Sequence, residues 1–244
     1  MNLPFFVGSL PFQSVEKAIR FVKDNSPHLP FLPQLPELNP QEDMIGQVLR
    51  GFELGHWDEK ASIALEAFQN EFCESPRFKI QIAGPYTVSR ALSLPYDEIV
   101  PQWEKLVLGI SKQLRQGAFL GELWLQIDEP YWPPKGTPKG TALLLEKLHQ
   151  EMPKTVFGIH SCATERPLPG PGDLARFRFF SLDCSRTPFS ETERDFWGKW
   201  LDMDPKRVFA WGHSTQYPKT LDPWALSRPQ IWLSAPCGLY GQSL

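Results

Sequence analysis

Short apolar segments alternate with stretches of helical periodicity along the chain. Most of the apolar segments are continuously hydrophobic and do not alternate with polar residues, as expected when both faces of a parallel sheet are covered. Eight of them are predicted to be strands: residues 5–9, 31–35, 78–83, 123–128, 155–160, 179–183, 208–211 and 231–234.

Amphipathic helices are predicted between these strands. Ser14 precedes a run with apolar residues at helical spacing that includes Val22. Asn39 and Pro40 are typical of an N-cap followed by the first position of a helix, which continues to Leu49. Further helices are predicted at residues 63–72, 96–114, 142–152 and 190–200.

This alternation predicts an α/β fold, a compact (β/α)8 TIM barrel that forms a single domain over residues 1–244. A doubly wound open sheet is the alternative, but the chain has no glycine-rich first turn to support it. Because the chain ends at Leu244, seven residues after Cys237, the last outer helix is expected to be missing. The bare barrel face would then need covering, and a homo-oligomer is one way to cover it.

Metal-type ligands stand where predicted strands end. His160 and Cys162 follow one strand, Asp183 ends the next, and Cys237 follows the last. One imidazole, two thiols and a carboxylate suit a four-coordinate zinc ion, and their spacing is too wide for a zinc finger. In a barrel these groups would face a cavity at the carboxyl ends of the strands, where catalytic residues lie.

Each of these ligands also has a structural interpretation. Cys162 and Cys237 could be small buried hydrophobic residues. His160 could be a hydrogen-bonded core histidine, and Asp183 could pair with Arg186. Other polar residues at strand ends extend the candidate site: Ser9, Asp128, Glu129 and His213.

Composition and charge exclude several classes of function. With 244 residues, 41% of them apolar, and a formal net charge of −3, the chain can bury a core and is a poor match for nucleic acid or a membrane surface. Its 4 cysteines do not resemble a secreted disulfide framework. The N-terminus lacks signal-peptide features, and no apolar run approaches the roughly 20 residues of a membrane span. These features predict a cytoplasmic protein with reduced thiols.

Five short strings occur in a fixed order along nearly the whole chain. They are Val-Gly-Ser-Leu-Pro at 7–11, Gln-Ile-Asp-Glu-Pro at 126–130, His-Ser-Cys at 160–162, Ser-Leu-Asp-Cys-Ser-Arg at 181–186 and Pro-Cys-Gly-Leu at 236–239. Together they resemble the C-terminal catalytic half of cobalamin-independent methionine synthase. That barrel is shared with uroporphyrinogen decarboxylase, whose arginine-rich N-terminal pattern is absent here, and with methyltransferases that act on coenzyme M.

The resemblance implies a zinc site. His160, Cys162 and Cys237 match the zinc ligands of the family. Asp183 stands where the family usually has a glutamate as fourth ligand, and it is one methylene shorter. The strand or the metal would have to shift to bring the carboxylate into contact.

The resemblance also implies an amino-thiol substrate. Ser9 matches a contact to the carboxylate of homocysteine, and Asp128, with Glu129 beside it, matches the acid that holds the ammonium. His213 matches a histidine that moves a proton near the methyl donor.

Two departures affect the substrate and the donor. Gly46 falls where the family has a second carboxylate, so the neighbouring Gln47 is the candidate replacement in substrate binding. The folate-binding half of the long enzyme is absent as well.

These residues predict a zinc-dependent methyltransferase of methionine biosynthesis that methylates homocysteine or a similar small thiol. Zinc deprotonates a bound thiol, and a cysteine-rich ligand set favours thiol alkylation, whereas three histidines suit the activation of water. The methyl donor stays open among methylfolate, a methylated corrinoid, free or on a corrinoid protein, and another small methyl compound. The alternatives are methyl transfer to coenzyme M or another thiol, and a non-catalytic barrel that acts as a binding protein.

Overall fold

The strands of the computed structural model form one parallel sheet. The structure describes residues 3–116, 119–133, 138, 140–163, 174–184, 189–212 and 223–234. The strands are β1 (Pro4–Phe5), β2 (Arg77–Ala83), β3 (Glu122–Asp128), β4 (Thr155–Ser161), β5 (Phe179–Asp183), β6 (Val208–Gly212) and β7 (Ile231–Ser234). Their order across the sheet is β1-β7-β6-β5-β4-β3-β2. Six of the eight predicted strands are therefore confirmed within one residue of their predicted bounds, and the first, predicted at residues 5–9, shares only Phe5 with β1.

Helices connect these strands and are ended by local polar contacts. They are α1 (Val15–Asn25), α2 (Met44–Leu54), α3 (Leu65–Phe72), α4 (Pro85–Leu92), α5 (Tyr96–Gln116), α6 (Thr141–Glu151), α7 (Glu191–Asp202) and α8 (Pro223–Leu226), with 3₁₀ turns at Pro40–Glu42 and Glu59–Ala61. Ser14 caps α1 as predicted. Asn39 caps the 3₁₀ turn, and it is Asp43 that caps α2 by accepting from the Gly46 N–H at 2.9 Å. None of the described helices is long and apolar enough to cross a membrane.

The remaining predicted strand, residues 31–35, does not form a strand. It contacts both edges of the sheet through isolated parallel bridges, one from Gln34 to Ser9 and one from Phe31 to Lys79. Pro30 and Pro33 have no N–H to donate, which limits this segment to bridges in place of a continuous ladder.

The sheet is strongly curled. In a flat sheet, six spacings of about 4.8 Å would separate the two edge strands by roughly 29 Å. Here the single segment 30–34 bonds to both edges, since Gln34 N donates to Gly8 O at 3.2 Å and Leu32 N donates to Lys79 O at 2.8 Å. The described fold is thus an α/β half-barrel with its edges turned towards each other.

The two faces of the sheet carry separate apolar clusters. The outer face, which includes Ile80 and Leu125, packs beneath the helices. At the amino ends of the strands, the inner face is filled by large rings, and those of Trp124 and Trp232 stack with centroids 5.9 Å apart. Towards the carboxyl ends the inner face becomes polar, and the candidate site lies there.

Candidate functional site

The strand register aligns three polar residues at the carboxyl ends of β3, β4 and β5. Asp128 pairs with His160, and His160 pairs with Ser181. Residues paired across parallel strands project from the same face of the sheet, so these three side chains share the inner face. Asp183 lies two residues beyond Ser181 and therefore projects from that face as well.

A cavity of about 430 Å³ opens at this end of the sheet. Its lining contains four of the residues predicted from the sequence: Ser9, Asp128, His160 and Cys162. Two acidic residues absent from the prediction, Glu42 and Asp43, also line it. The fold thus brings together residues that are up to 153 positions apart in the chain (9 to 162).

His160 is held with one ring nitrogen engaged. Its Nδ1 lies 3.0 Å from the Ser181 hydroxyl, and the residue is only 2% exposed. Its Nε2 is buried and has no hydrogen-bond partner among the described residues. Histidines that bind metals commonly use one nitrogen for the metal and the other for an orienting hydrogen bond. The geometry of His160 fits that pattern.

The remaining predicted ligands do not assemble among the described residues. Within the described ranges there is no group of three or more His, Cys, Asp or Glu side chains that could hold a metal ion. Cys162 is partly buried in the cavity wall, whereas Asp183 is buried and is not part of the cavity lining. Cys237 lies outside the described residues, as does His213. A zinc site here would therefore need at least one ligand from outside the described residues.

Glu129 is engaged in a structural contact. Its carboxylate accepts hydrogen bonds from Tyr86 N at 3.0 Å, Thr87 N at 2.7 Å and the Thr87 hydroxyl at 2.6 Å. The N-cap residue of α4 is Gly84, which has no side chain to offer, so Glu129 satisfies the first turn of that helix instead. Burial raises the pKa of Glu129 to about 7, although these hydrogen bonds oppose the shift. Glu129 does not line the cavity, and its predicted substrate contact has no support in this geometry.

Gln47 also lies behind the cavity wall. Its Oε1 accepts from Gln34 Nε2 at 2.9 Å, and the residue is only 4% exposed. The Ser9 hydroxyl reaches the same glutamine, donating to Gln34 Oε1 at 3.4 Å. Gln34 and Gln47 both line a neighbouring pocket and not this cavity, so Gln47 is linked to it only through Gln34 and Ser9.

The sequence interpretation missed a buried lysine beneath the cavity. Lys79 is 1% exposed, and its Nζ donates to Val7 O at 2.7 Å, to Gln126 Oε1 at 3.1 Å and to Gln81 Oε1 at 3.3 Å. Burial lowers the pKa of Lys79, and the nearby Asp128 carboxylate opposes that shift. A signal was present in the sequence, because Lys79, Gln81 and Gln126 each interrupt an otherwise apolar strand.

Glu42 is a buried acidic residue of the cavity lining. Its carboxylate accepts from the backbone N–H of Leu35 and, at 2.7 Å, from that of Ile63. The residue is 2% exposed, and burial raises its pKa to about 7 while the two hydrogen bonds act in the opposite direction. Asp43, in contrast, is exposed at the N-terminus of α2.

Comparisons with known proteins give no family. No protein-family model matches the chain, and no curated protein matches it. Among solved structures, the chain is similar to an oxaloacetate acetylhydrolase in complex with the product oxalate. The two are 11% identical, the match covers 91% of this chain and 81% of that one, and the TM-score is 0.32. A likeness at this level supports no statement about function.

Proposed function

We propose that this protein is a zinc-dependent methyltransferase that transfers a methyl group to the thiol of homocysteine or a similar small amino thiol. The observation that carries the proposal is His160, whose Nδ1 is held by Ser181 while its buried Nε2 has no partner among the described residues. Cys162 and Asp128 line the same cavity. An imidazole, a thiol and a carboxylate therefore surround one space at the carboxyl ends of parallel strands.

We also propose that the sheet closes into a (β/α)8 barrel. Segment 31–35 bonds to Lys79 of β2 on one side and to residues 8–10, which follow β1, on the other. An eighth strand of a (β/α)8 barrel would stand there. We infer that it completes the ring. Its position matters for the site because Gln34, in this segment, contacts both Ser9 and Gln47.

The proposed zinc ligands are His160, Cys162, Cys237 and Asp183. Bound zinc would supply a deprotonated, nucleophilic thiol at neutral pH, where a free thiol with a pKa of about 8.5 is only a few per cent ionised. Asp183 is buried at the carboxyl end of β5, on the same face of the sheet as His160. It does not line the cavity.

The substrate would be oriented by the protein's own side chains. The Asp128 carboxylate is 1% exposed and lies in the cavity wall, where low solvent access strengthens its attraction for an ammonium group. The Ser9 hydroxyl also lines the cavity, and it would donate to a substrate carboxylate in place of its 3.4 Å contact with Gln34 Oε1. A cavity of about 430 Å³ falls within the usual range for small-molecule sites.

The test is methyl transfer by the zinc-loaded protein. Homocysteine would be supplied with methylcobalamin, methyltetrahydrofolate or a small methyl sulfonium compound, and methionine would be measured by mass spectrometry. Asp128→Asn should raise the KM for homocysteine about tenfold or more, since it removes a charge-assisted hydrogen bond. Asp195→Asn, on the exposed face of α7, is the matched control and should leave the KM unchanged. A zinc-bound protein that makes no methionine with any of these donors would contradict the proposal.

A further inference from the structure

Lys79 is the branch point of a hydrogen-bonded chain of polar side chains on the inner face of the sheet. One branch runs from Lys79 to Gln126 and on to Asp128, because Gln126 Nε2 donates to Asp128 Oδ1 at 2.7 Å. The other runs from Lys79 to Gln81 and then to Gln34, whose Oε1 accepts from Gln81 Nε2 at 2.6 Å. This second branch ends at Gln47 and also meets Ser9.

The lysine determines which atoms of the Gln81 and Gln126 amides donate and which accept in this hydrogen-bonded chain. An ammonium group has only donors, so the amide oxygens of Gln81 and Gln126 must face it. Their NH₂ groups must then point away, one towards Gln34 and the other towards Asp128 and Val7 O. A neutral side chain at position 79 would remove this constraint from both amides, and Asp128 and Val7 O alone would then orient the amide of Gln126.

Stability alone does not explain a lysine at this position. Burying an ammonium group is destabilising unless it is well paired, and an apolar side chain of similar volume commonly gives a protein that is as stable or more so. Lys79 Nζ lies 5.3 Å and 5.6 Å from the ring centroids of Phe5 and Phe31, surroundings that an apolar side chain would suit. What an apolar residue would not do is orient the two amides.

Gly8 packs directly against the Gln81 amide of this hydrogen-bonded chain. Its φ is +140°, and a Cβ built there would lie 1.6 Å from Gln81 Oε1. Only glycine lets the backbone after β1 pass so close to the amide. The glutamine branch is therefore enclosed on the side of β1 and has little freedom to choose other partners.

We propose that Lys79 is a positioning residue, whose ammonium fixes the amide of Gln126 so that Gln126 holds the Asp128 carboxylate in the orientation that receives the ammonium of an amino-thiol substrate. The identity of the ligand rests on the proposed function, whereas the polar chain is independent of it. Lys79 does not line the cavity and acts through Gln126.

The test compares two thiols that differ in one group. Homocysteine and 4-mercaptobutanoic acid share the thiol and the carboxylate, but only homocysteine has the ammonium. Their dissociation constants would be measured by calorimetry on the zinc-loaded protein and on Lys79→Met and Gln126→Met. The native protein should prefer homocysteine, and both variants should lose that preference because homocysteine binds about tenfold or more weakly. Binding of 4-mercaptobutanoic acid should not change.

The control is Gln230→Met, since Gln230 donates to Leu201 O and Asp204 O, well away from the cavity lining. This variant should keep the preference for homocysteine. A merely structural role of Lys79 would weaken both thiols equally, and that result, or an unchanged preference in both variants, would overturn the proposal. If Lys79→Met does not fold, Gln126→Met decides alone, because it removes the link between Lys79 and Asp128 and leaves the branch through Gln81 in place.

Side-chain amide spectra separate this proposal from the proposed function. If the native zinc-loaded protein binds neither thiol, the proposed function fails, and proton–nitrogen correlation spectra of the glutamine side chains decide on Lys79. The amide signals of Gln34, Gln81 and Gln126 should be protected from solvent exchange in the native protein and should shift and exchange faster in Lys79→Met. Unchanged signals and exchange rates in that variant would overturn the positioning role.

Discussion

The two ends of the inner face are built from the same strands but from opposite kinds of side chain. At the amino ends, Trp124 stacks on Phe179 and on Trp232, with centroids 5.2 Å and 5.9 Å away. Further along β3, the inner positions are Gln126 and Asp128, which belong to a hydrogen-bonded chain. Apolar packing contributes stability directly, whereas buried polar groups at best offset their own desolvation. The contrast fits the proposed role of the polar end in binding a substrate.

The largest expected effect comes from breaking the apolar end. Phe179 is fully buried, and its ring occupies the space that a Cβ on Gly158 would need. Phe179→Ala should lower the free energy of unfolding by about 3–5 kcal/mol, measured by urea denaturation. Zinc content and thiol affinity of the folded variant should be unchanged. A loss of zinc in a folded Phe179→Ala protein would show that the two ends are not independent.

The second effect is a pH dependence from the polar end. Burial raises the pKa of Glu42 from 4.5 to about 7, so the folded protein keeps this proton at pH values where the unfolded chain releases it. The contribution to stability is therefore complete below about pH 4.5 and is lost as the pH rises to about 7. At about 1.4 kcal/mol per pKa unit, the loss is at most about 3 kcal/mol. Urea denaturation at several pH values should show a shallower decline in Glu42→Gln, and an equal slope would contradict this assignment.

The third and smallest effect concerns the orientation of His160. Ser181→Ala removes the partner of its Nδ1 and should weaken zinc binding about 10–100-fold, as loss of such orienting contacts does elsewhere. Competition with a chelator of known affinity would measure it. Ser26→Ala is the matched control, because the Ser26 hydroxyl is also buried and donates to Leu29 O, and neither residue lines the cavity. Equal zinc affinity of Ser181→Ala and the native protein would contradict the proposed role of His160.

The apolar runs were sufficient to predict the strands, because a strand covered on both faces has a distinctive composition. They failed at residues 31–35, where Pro30 and Pro33 remove backbone donors and leave only bridges. Helix α4 was not predicted, since its N-terminus is satisfied by Glu129 from a distant part of the chain. A cap supplied across 42 positions leaves no local sequence signal apart from Pro85 at the first position of the helix.

The site was predictable to the extent that it depends on strand ends. Parallel register places Asp128 beside His160, and both line the cavity. The neighbouring Glu129 has the same chemistry, but it lies beyond the end of β3, where the alternation of side chains no longer fixes the direction. Lys79 was overlooked because a single lysine in an apolar run looks like a surface residue until the curvature of the sheet encloses it.

The most direct test of the account is the zinc content of the purified protein and of Cys162→Ser, measured by elemental mass spectrometry after dialysis against a weak chelator. We predict close to one zinc ion per chain in the native protein, most of it lost in Cys162→Ser, and all of it retained in the control Cys73→Ser. Cys73 is a free, partly buried cysteine at the end of α3 and does not line the cavity. A native protein without zinc, or full zinc content in Cys162→Ser, would contradict the central claim that His160 and Cys162 share a metal ion.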